Sequence, residues 1–422
     1  MTTLIRQAHI ISPGSPHHGK VKDILIHNGK ITKISKHIAD DKASVWAYDN
    51  AHISPGFMDV GTQIGDPGFE HKEDLQSAAR AAMAGGYTAL ACTPNTQPVI
   101  DNKSQVLYIR NQRNSLVDFH PIGAVSEGCK GKDITEMYDM RAAGAMAFSD
   151  GHNSLNDSGL MMRSLLYVKP FEGIIINQAL DTNLAHGGHV HEGAVSTSLG
   201  MKGIPALAEE LMLQRDLYLL KYTDSRLHAA NISCANSVDL IRQAKKRGLR
   251  VTASVNPMNL TFDDTVLTDF DTNMKVMPPL REKADIKALK KGLKDGTIDF
   301  ISSNHTPEDE EGKKLEFVYA QAGVIALETT FAVSRSQLDE TLDIETLIEK
   351  LALAPRRIFG LEIPVIAEGE AANLCLFDPN KKWTFTEKNI YSKSKNTPFI
   401  GYELTGKVLA TMNNGKVFRQ EN

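Results

Sequence analysis

From Pro55 onward the chain repeats one arrangement: a short apolar run, a polar junction, then a longer stretch whose apolar residues recur with helical spacing. Strands linked through helices run parallel, because a parallel neighbour is reached only by a crossover connection. Eight runs qualify as strands: residues 52–60, 88–92, 117–125, 145–148, 173–177, 226–230, 250–255 and 298–302. The helical patterns between them include residues 72–84 and 237–247. In the second, Val238, Leu240, Ile241 and Ala244 make one apolar face, Ser237 is the expected cap and Gly248 follows the end. Eight such units predict an α/β fold, a (β/α)8 TIM barrel.

The flanks read differently. Up to residue 50, apolar and polar positions alternate around Ile24, Ile26, Ile31 and Ile34, with Asn28-Gly29 as a hairpin signal. Past Ala354-Pro355, β patterning returns at 373–377, 406–412 and 416–418, around Asn414-Gly415. The two ends are expected to meet in one small β domain, residues 1–54 and 365–422, beside a barrel at 55–364. Lys+Arg 47 against Asp+Glu 51 gives a net charge of −4, which argues against a nucleic-acid surface or a polybasic membrane face. No stretch is apolar enough to span a bilayer, and the N-terminus lacks an apolar leader core, so a cytoplasmic location is expected. Cys92, Cys129, Cys234 and Cys375 are widely separated, as reduced thiols would be.

In a barrel of this kind the chemistry sits at the C-terminal strand ends. There the run from Ser54 to Asp74 (SPGFMDVGTQIGDPGFEHKED) resembles the first-strand segment of class I dihydroorotases, in the amidohydrolase superfamily. Further matching runs follow in order: CTPNTQPVID from Cys92, AFSD ending at Asp150, EGAVS from Glu192, GIPALAEE from Gly203, DTNMKVMPPLR ending at Arg281, DGTID from Asp295 and SKNTPF from Ser394. The resemblance implies a barrel mouth where zinc is held by a His-x-His pair after strand 1, an Asp after strand 4, a His after strands 5 and 6, and an Asp after strand 8 that also moves the proton. Those positions are Gly61, Gln63, Asp150, Gln178, Asn231 and Asn304 in this chain. Only Asp150 keeps a good zinc ligand; glycine offers none, and the amides of Asn and Gln are weak donors.

The family closes carbamoyl aspartate to dihydroorotate, and reopens it, with a metal-bound hydroxide, a polarised carbonyl and a carboxylate base. Zinc lowers the pKa of bound water from about 15.7 to about 7, so without it hydroxide becomes scarcer by roughly eight orders of magnitude. Asn304, at the base position, is an amide and does not act as a base near neutral pH. The family's substrate contacts have changed too. Its carboxylate-gripping arginine is Gly65 and its strand 8 loop histidine is Glu308; the asparagine of N-P-P-L-R is Met277, while the companion Asn95 is retained.

The expectation is a dihydroorotase homologue of pyrimidine biosynthesis with a dismantled site, needing no metal cofactor. It would serve as a structural or regulatory partner, through self-association or, as the resemblance implies, with aspartate carbamoyltransferase. One alternative is a dihydroorotase or other cyclic-amide hydrolase working through an altered site of Asp150, His305 and the amides. Another is a binding module in which Gln63, Asn95, Gln178, Asn231 and Asn304 ring a small amide-like molecule at the barrel mouth. Of the 14 histidines, His186, His189 and His191 form a cluster expected to lie in a solvated loop, while His228 and His305 stand beside ligand positions. Cys92 has no evident base, and no nucleophile elbow or phosphate loop is present.

Overall fold

Asn28-Gly29 and Asn414-Gly415 each hold two consecutive positive φ angles, 48° and 76° in the first and 52° and 71° in the second, the twist a two-residue hairpin turn requires. In the computed structural model, which describes residues 2–112 and 116–420, they join Val21–His27 to Lys30–Ser35 and Glu403–Asn413 to Lys416–Arg419. Both hairpins belong to one sheet. Thr2–Ile10 pairs with Val21–His27 and with His52–Pro55, and Leu374–Thr384 runs antiparallel to His52–Pro55 with Cys375 opposite Ser54. The two ends of the chain therefore share one sheet, over a core that includes Ile24, Ile31, Ile53, Ile366 and Leu376.

The barrel is built from two parallel arcs. Phe57–Thr62, Tyr87–Cys92 and Asp118–Pro121 form one; Ile175–Asn177, Leu227–Ala229, Val251–Val255 and Phe300–Ile301 form the other. The strand expected at 145–148 is reduced to Phe148, which bridges Gly123 on the first arc and Ile175 on the second. The last and first strands are joined largely through side chains. Ser302 Oγ donates to the Val60 carbonyl at 2.7 Å, Ser303 N to Asp59 Oδ1 at 2.6 Å, and Gln63 N to the His305 carbonyl at 3.0 Å. Met58, Ala89, Ala91, Ile122, Met146, Ile176 and Phe300 pack the interior, so the barrel is filled rather than open.

Local caps shift two helix boundaries. The first barrel helix is Leu75–Ala84, because Asp74 Oδ1 accepts from Gln76 N and Ser77 N and fixes the start there. The helix expected at 237–247 is Ala235–Lys246, and Ser237 is not its cap but a buried residue inside it. Asp285, from a neighbouring helix, accepts from Ala235 N at 2.8 Å and supplies the missing cap. Among the described residues no helix is long and apolar enough to cross a membrane.

Candidate functional site

Above the Val60, Ile122 and Ile176 layer, a cavity of about 330 Å³ opens at the C-terminal end of the strands. Gly61, Gln63, Gln178, Asn231, Met277, Asn304 and Glu308 all line it, so seven of the ten expected site residues converge. Gly65 and Asn95 line an adjoining pocket of about 200 Å³ that shares Gln63, His152 and Glu308 with the first. Asp150 lines neither. Its Oδ1 accepts from Val125 N and Ser126 N, both at 2.9 Å, its Oδ2 takes the Ser126 hydroxyl, and the residue is 1% exposed. Burial pushes its pKa up against those hydrogen bonds.

The mouth is an arrangement of amides. Asn231 and Asn304 both sit at positive φ, 49° and 53°, a conformation asparagine tolerates better than most residues. Asn304 Nδ2 donates to the Met277 carbonyl and Asn231 Nδ2 donates to Asn304 Oδ1, each at 3.0 Å. Met277 thus contributes its backbone to this chain of bonds. Gln63 Nε2 reaches Thr306 Oγ1 at 3.3 Å. Gln178 is half-buried at the wall, while its neighbour Asn177 turns outward and donates to Asp216 Oδ2 at 2.7 Å.

The changed substrate positions have structural reasons. Gly65 has φ 67°, and a Cβ there would lie 2.4 Å from the Glu73 carbonyl oxygen, so no arginine fits this backbone. Asn95 is engaged by backbone: its Nδ2 donates to the Asp150 carbonyl at 3.0 Å. Glu308 is buried and paired with Lys72 at 2.6 Å. Gly61 has open space where a Cβ would go, yet its φ of 93° is one that a histidine rarely adopts.

Three histidine expectations change or sharpen. His191 is not in a solvated loop: Val190–His191 pairs with Gly203–Ile204, and the ring is buried with Nδ1 3.1 Å from Arg281. Of its cluster only His186 is exposed, with His189 half-buried. His305 is fully buried away from the cavity; Nδ1 accepts from Ala326 N at 3.1 Å, so Nε2 carries the proton and faces Glu73 at 3.4 Å. His228 does reach the cavity, stacked on Phe300 at 4.8 Å and bonded to Thr252 and Ser254 hydroxyls at 2.9 and 3.1 Å. Burial pushes its pKa down to about 3, so it is neutral at physiological pH.

Sequence reasoning missed His152 and Ser149 in the lining, and Lys72 as the partner of Glu308. Ser149 and His152 flank Asp150 at a strand end and were findable; the Lys72–Glu308 pair joins distant segments and was not. Cys92 is buried, its thiol pushed well above the usual range by desolvation and by the negative charge of Asp59, whose carboxylate is itself held by Ser303. The residues present do not fit zinc: the family's ligand positions offer neutral amide oxygens, Asp150 is engaged elsewhere, His228 and Glu308 of the lining are already bonded to hydroxyls and to Lys72, and among the described residues no three His, Cys, Asp or Glu side chains converge.

Comparison with known proteins places the chain in context. Residues 51–237 match the family described as Dihydro-orotase-like. A dihydroorotase of Syntrophus aciditrophicus is 39% identical over 427 residues, covering 100% of both chains. One from Caldicellulosiruptor saccharolyticus is 41% identical over 426 residues, covering 99% of this chain and 98% of the relative. Among solved structures, the L-hydantoinase (dihydropyrimidinase) of Arthrobacter aurescens superposes with a TM-score of 0.84 at 23% identity, covering 99% of this chain and 96% of that one. The dihydropyrimidinase of Brevibacillus agri gives 0.83 at 20% identity, covering 99% and 95%. At these identities the structures establish the fold, an amidohydrolase-type TIM barrel.

Proposed function

The chain belongs to the dihydroorotase-like family, and from that premise we propose that its barrel mouth binds a small molecule without zinc-hydroxide chemistry. The protein then acts as a non-catalytic member with a structural or regulatory role. The observation carrying this reading is the mouth itself: Gln63, Gln178, Asn231 and Asn304 face the cavity as neutral amides, while the one carboxylate among the family's ligand positions, Asp150, is bonded to Val125 and Ser126. None of these positions offers a free side chain that is both a strong metal donor and a base. Aspartate carbamoyltransferase remains the partner to test first, on the family resemblance. Metal analysis of the full chain, purified from zinc-supplemented cells, tests the reading; a substoichiometric zinc content is expected, and one or two tightly held ions per chain would overturn it. Co-purification with aspartate carbamoyltransferase tests the partner.

A second reading is favoured by a specific observation. Relatives named dihydroorotase match over the whole length at 39% and 41% identity, which supports a cyclic-amide hydrolase working through an altered site. Here the side chains at the mouth would position the ring and polarise its carbonyl by hydrogen bonds, with His228 as the neutral imidazole nearest the floor. Ring opening of dihydroorotate by the purified chain separates the two readings.

A further inference from the structure

One helix of the barrel's outer ring is apolar on both faces. In Ala206–Thr223 the inward side carries Ala208, Met212, Leu213, Leu217 and Leu220, all buried. The outward side of such a helix is normally polar, yet Leu207, Leu211, Tyr218 and Tyr222 run along it, 48%, 45%, 76% and 74% exposed. They share one face, because steps of four, seven and four residues each return close to the same angle at 3.6 residues per turn. A helix apolar all round belongs in an interior, so the outward stripe is a surface awaiting a cover.

The order of the stripe identifies that cover. Leu207 and Leu211 are four residues apart, Tyr218 and Tyr222 are four apart, and the two pairs are equally far from the midpoint between Gln214 and Arg215. A second copy of the helix, turned antiparallel about a twofold axis at that midpoint, sets Leu207 against Tyr222 and Leu211 against Tyr218 at both ends. The charges agree with this register. Glu210 and Lys221 stand on the same side of the stripe, and such an axis keeps each side facing its own copy, so Glu210 of one chain comes beside Lys221 of the other, twice. Within the chain Glu210 accepts from a neutral amide, Asn236 Nδ2 at 3.2 Å, and Lys221 is exposed. Covering the four apolar side chains removes roughly 500 Å² from each copy, so a pair reaches the roughly 1,000 Å² that marks a biological interface. Leu166 takes it further: Lys169 Nζ donates to the Thr223 carbonyl at 2.9 Å, which lays the end of the neighbouring helix Ser158–Val168, with Leu166 exposed, beside the tyrosine end of the stripe.

We infer that two copies of the chain pair through this helix, antiparallel, about a twofold axis between Gln214 and Arg215. None of the four stripe residues lines the cavity at the barrel mouth, so the pairing is independent of what that cavity binds.

Sedimentation velocity of the full chain at micromolar concentration tests it, and a dimer is expected. Tyr218→Glu, at an exposed position that leaves the inward face intact, is expected to raise the dimer dissociation constant at least about thirtyfold. Glu210→Lys or Lys221→Glu alone is expected to weaken pairing at least about threefold, and the two together to restore it. Gln214→Cys, next to the axis, is expected to cross-link between copies with a short bis-maleimide, against little background because the four native cysteines are buried. A monomer at every concentration would overturn the inference and leave the stripe to a different protein. A dimer indifferent to Tyr218→Glu would place the contact elsewhere and overturn it equally. A dimer that Tyr218→Glu breaks, but that Gln214→Cys does not cross-link and the double charge swap does not restore, would overturn the antiparallel register.

Discussion

Two polar clusters grow from the same loop after the sixth barrel strand and end in opposite states. Asn231 turns toward the mouth, donates Nδ2 to Asn304 and leaves its own oxygen without a partner. Two residues on, Ser233 turns outward into a closed network: Glu209 Oε1 accepts from Ser233 N at 2.9 Å and Cys234 N at 3.1 Å, and Oε2 takes the Ser233 hydroxyl. Arg281, 1% exposed, completes it through Ser233 Oγ at 3.0 Å, the Ile204 carbonyl and His191 at 3.1 Å, with Glu209 3.6 Å away. The same alternation separates outward Asn177 from inward Gln178, and Ser303, bonded to Asp59, from Asn304. The charged groups behind the mouth hold loops in place, and the neutral ones in front line the cavity.

The largest expected effect comes from opening the closed network. Glu209→Leu removes the acceptor of two backbone N–H groups and leaves Arg281 buried without its carboxylate, so urea unfolding should show a loss of about 3–5 kcal/mol. A loss below about 1 kcal/mol would mean that the outward cluster does not hold the loop. Asp150→Ala strands Val125 N and Ser126 N and is expected to cost about 1–3 kcal/mol in urea unfolding. Unchanged stability would mean that Asp150 does not hold the Val125–Ser126 segment and would blur the contrast between the two clusters.

The subtlest effect to read is a pH slope. Burial holds the His228 pKa at about 3 in the folded chain, below the value of about 6.5 expected when unfolded. The unfolded chain therefore takes up this proton first as pH falls. Stability linked to His228 is complete above about pH 6.5 and is lost progressively toward pH 3. His228→Gln should flatten that part of the curve in urea midpoints measured between about pH 7 and 4.5; an unchanged slope would place the imidazole in a wetter setting than the cavity floor.

Much of this architecture is legible in the sequence because apolar periodicity reports burial directly: seven of the eight expected runs contain paired strand residues, and the Asn-Gly turns mark the hairpins they form. Phe148 shows the limit, since the joint between the two arcs needs only one paired residue there. At the mouth, residue type and position were readable but side-chain direction was not. Asp150 follows the fourth strand as a ligand would, yet points to Val125 and Ser126. His191 reads as part of a polar loop, yet Arg281, 90 residues away, draws it inside. Gly65 reads as a lost arginine, and only the backbone oxygens of Glu73 and Phe69 reveal that nothing larger fits.

The most direct test is ring opening of dihydroorotate by the full-length chain, followed at neutral pH with and without added zinc. The account predicts a rate equal to the protein-free control under both conditions, because amides at Gln63, Gln178, Asn231 and Asn304 supply neither a zinc-bound hydroxide nor a base. Turnover that zinc restores and a chelator removes would contradict it.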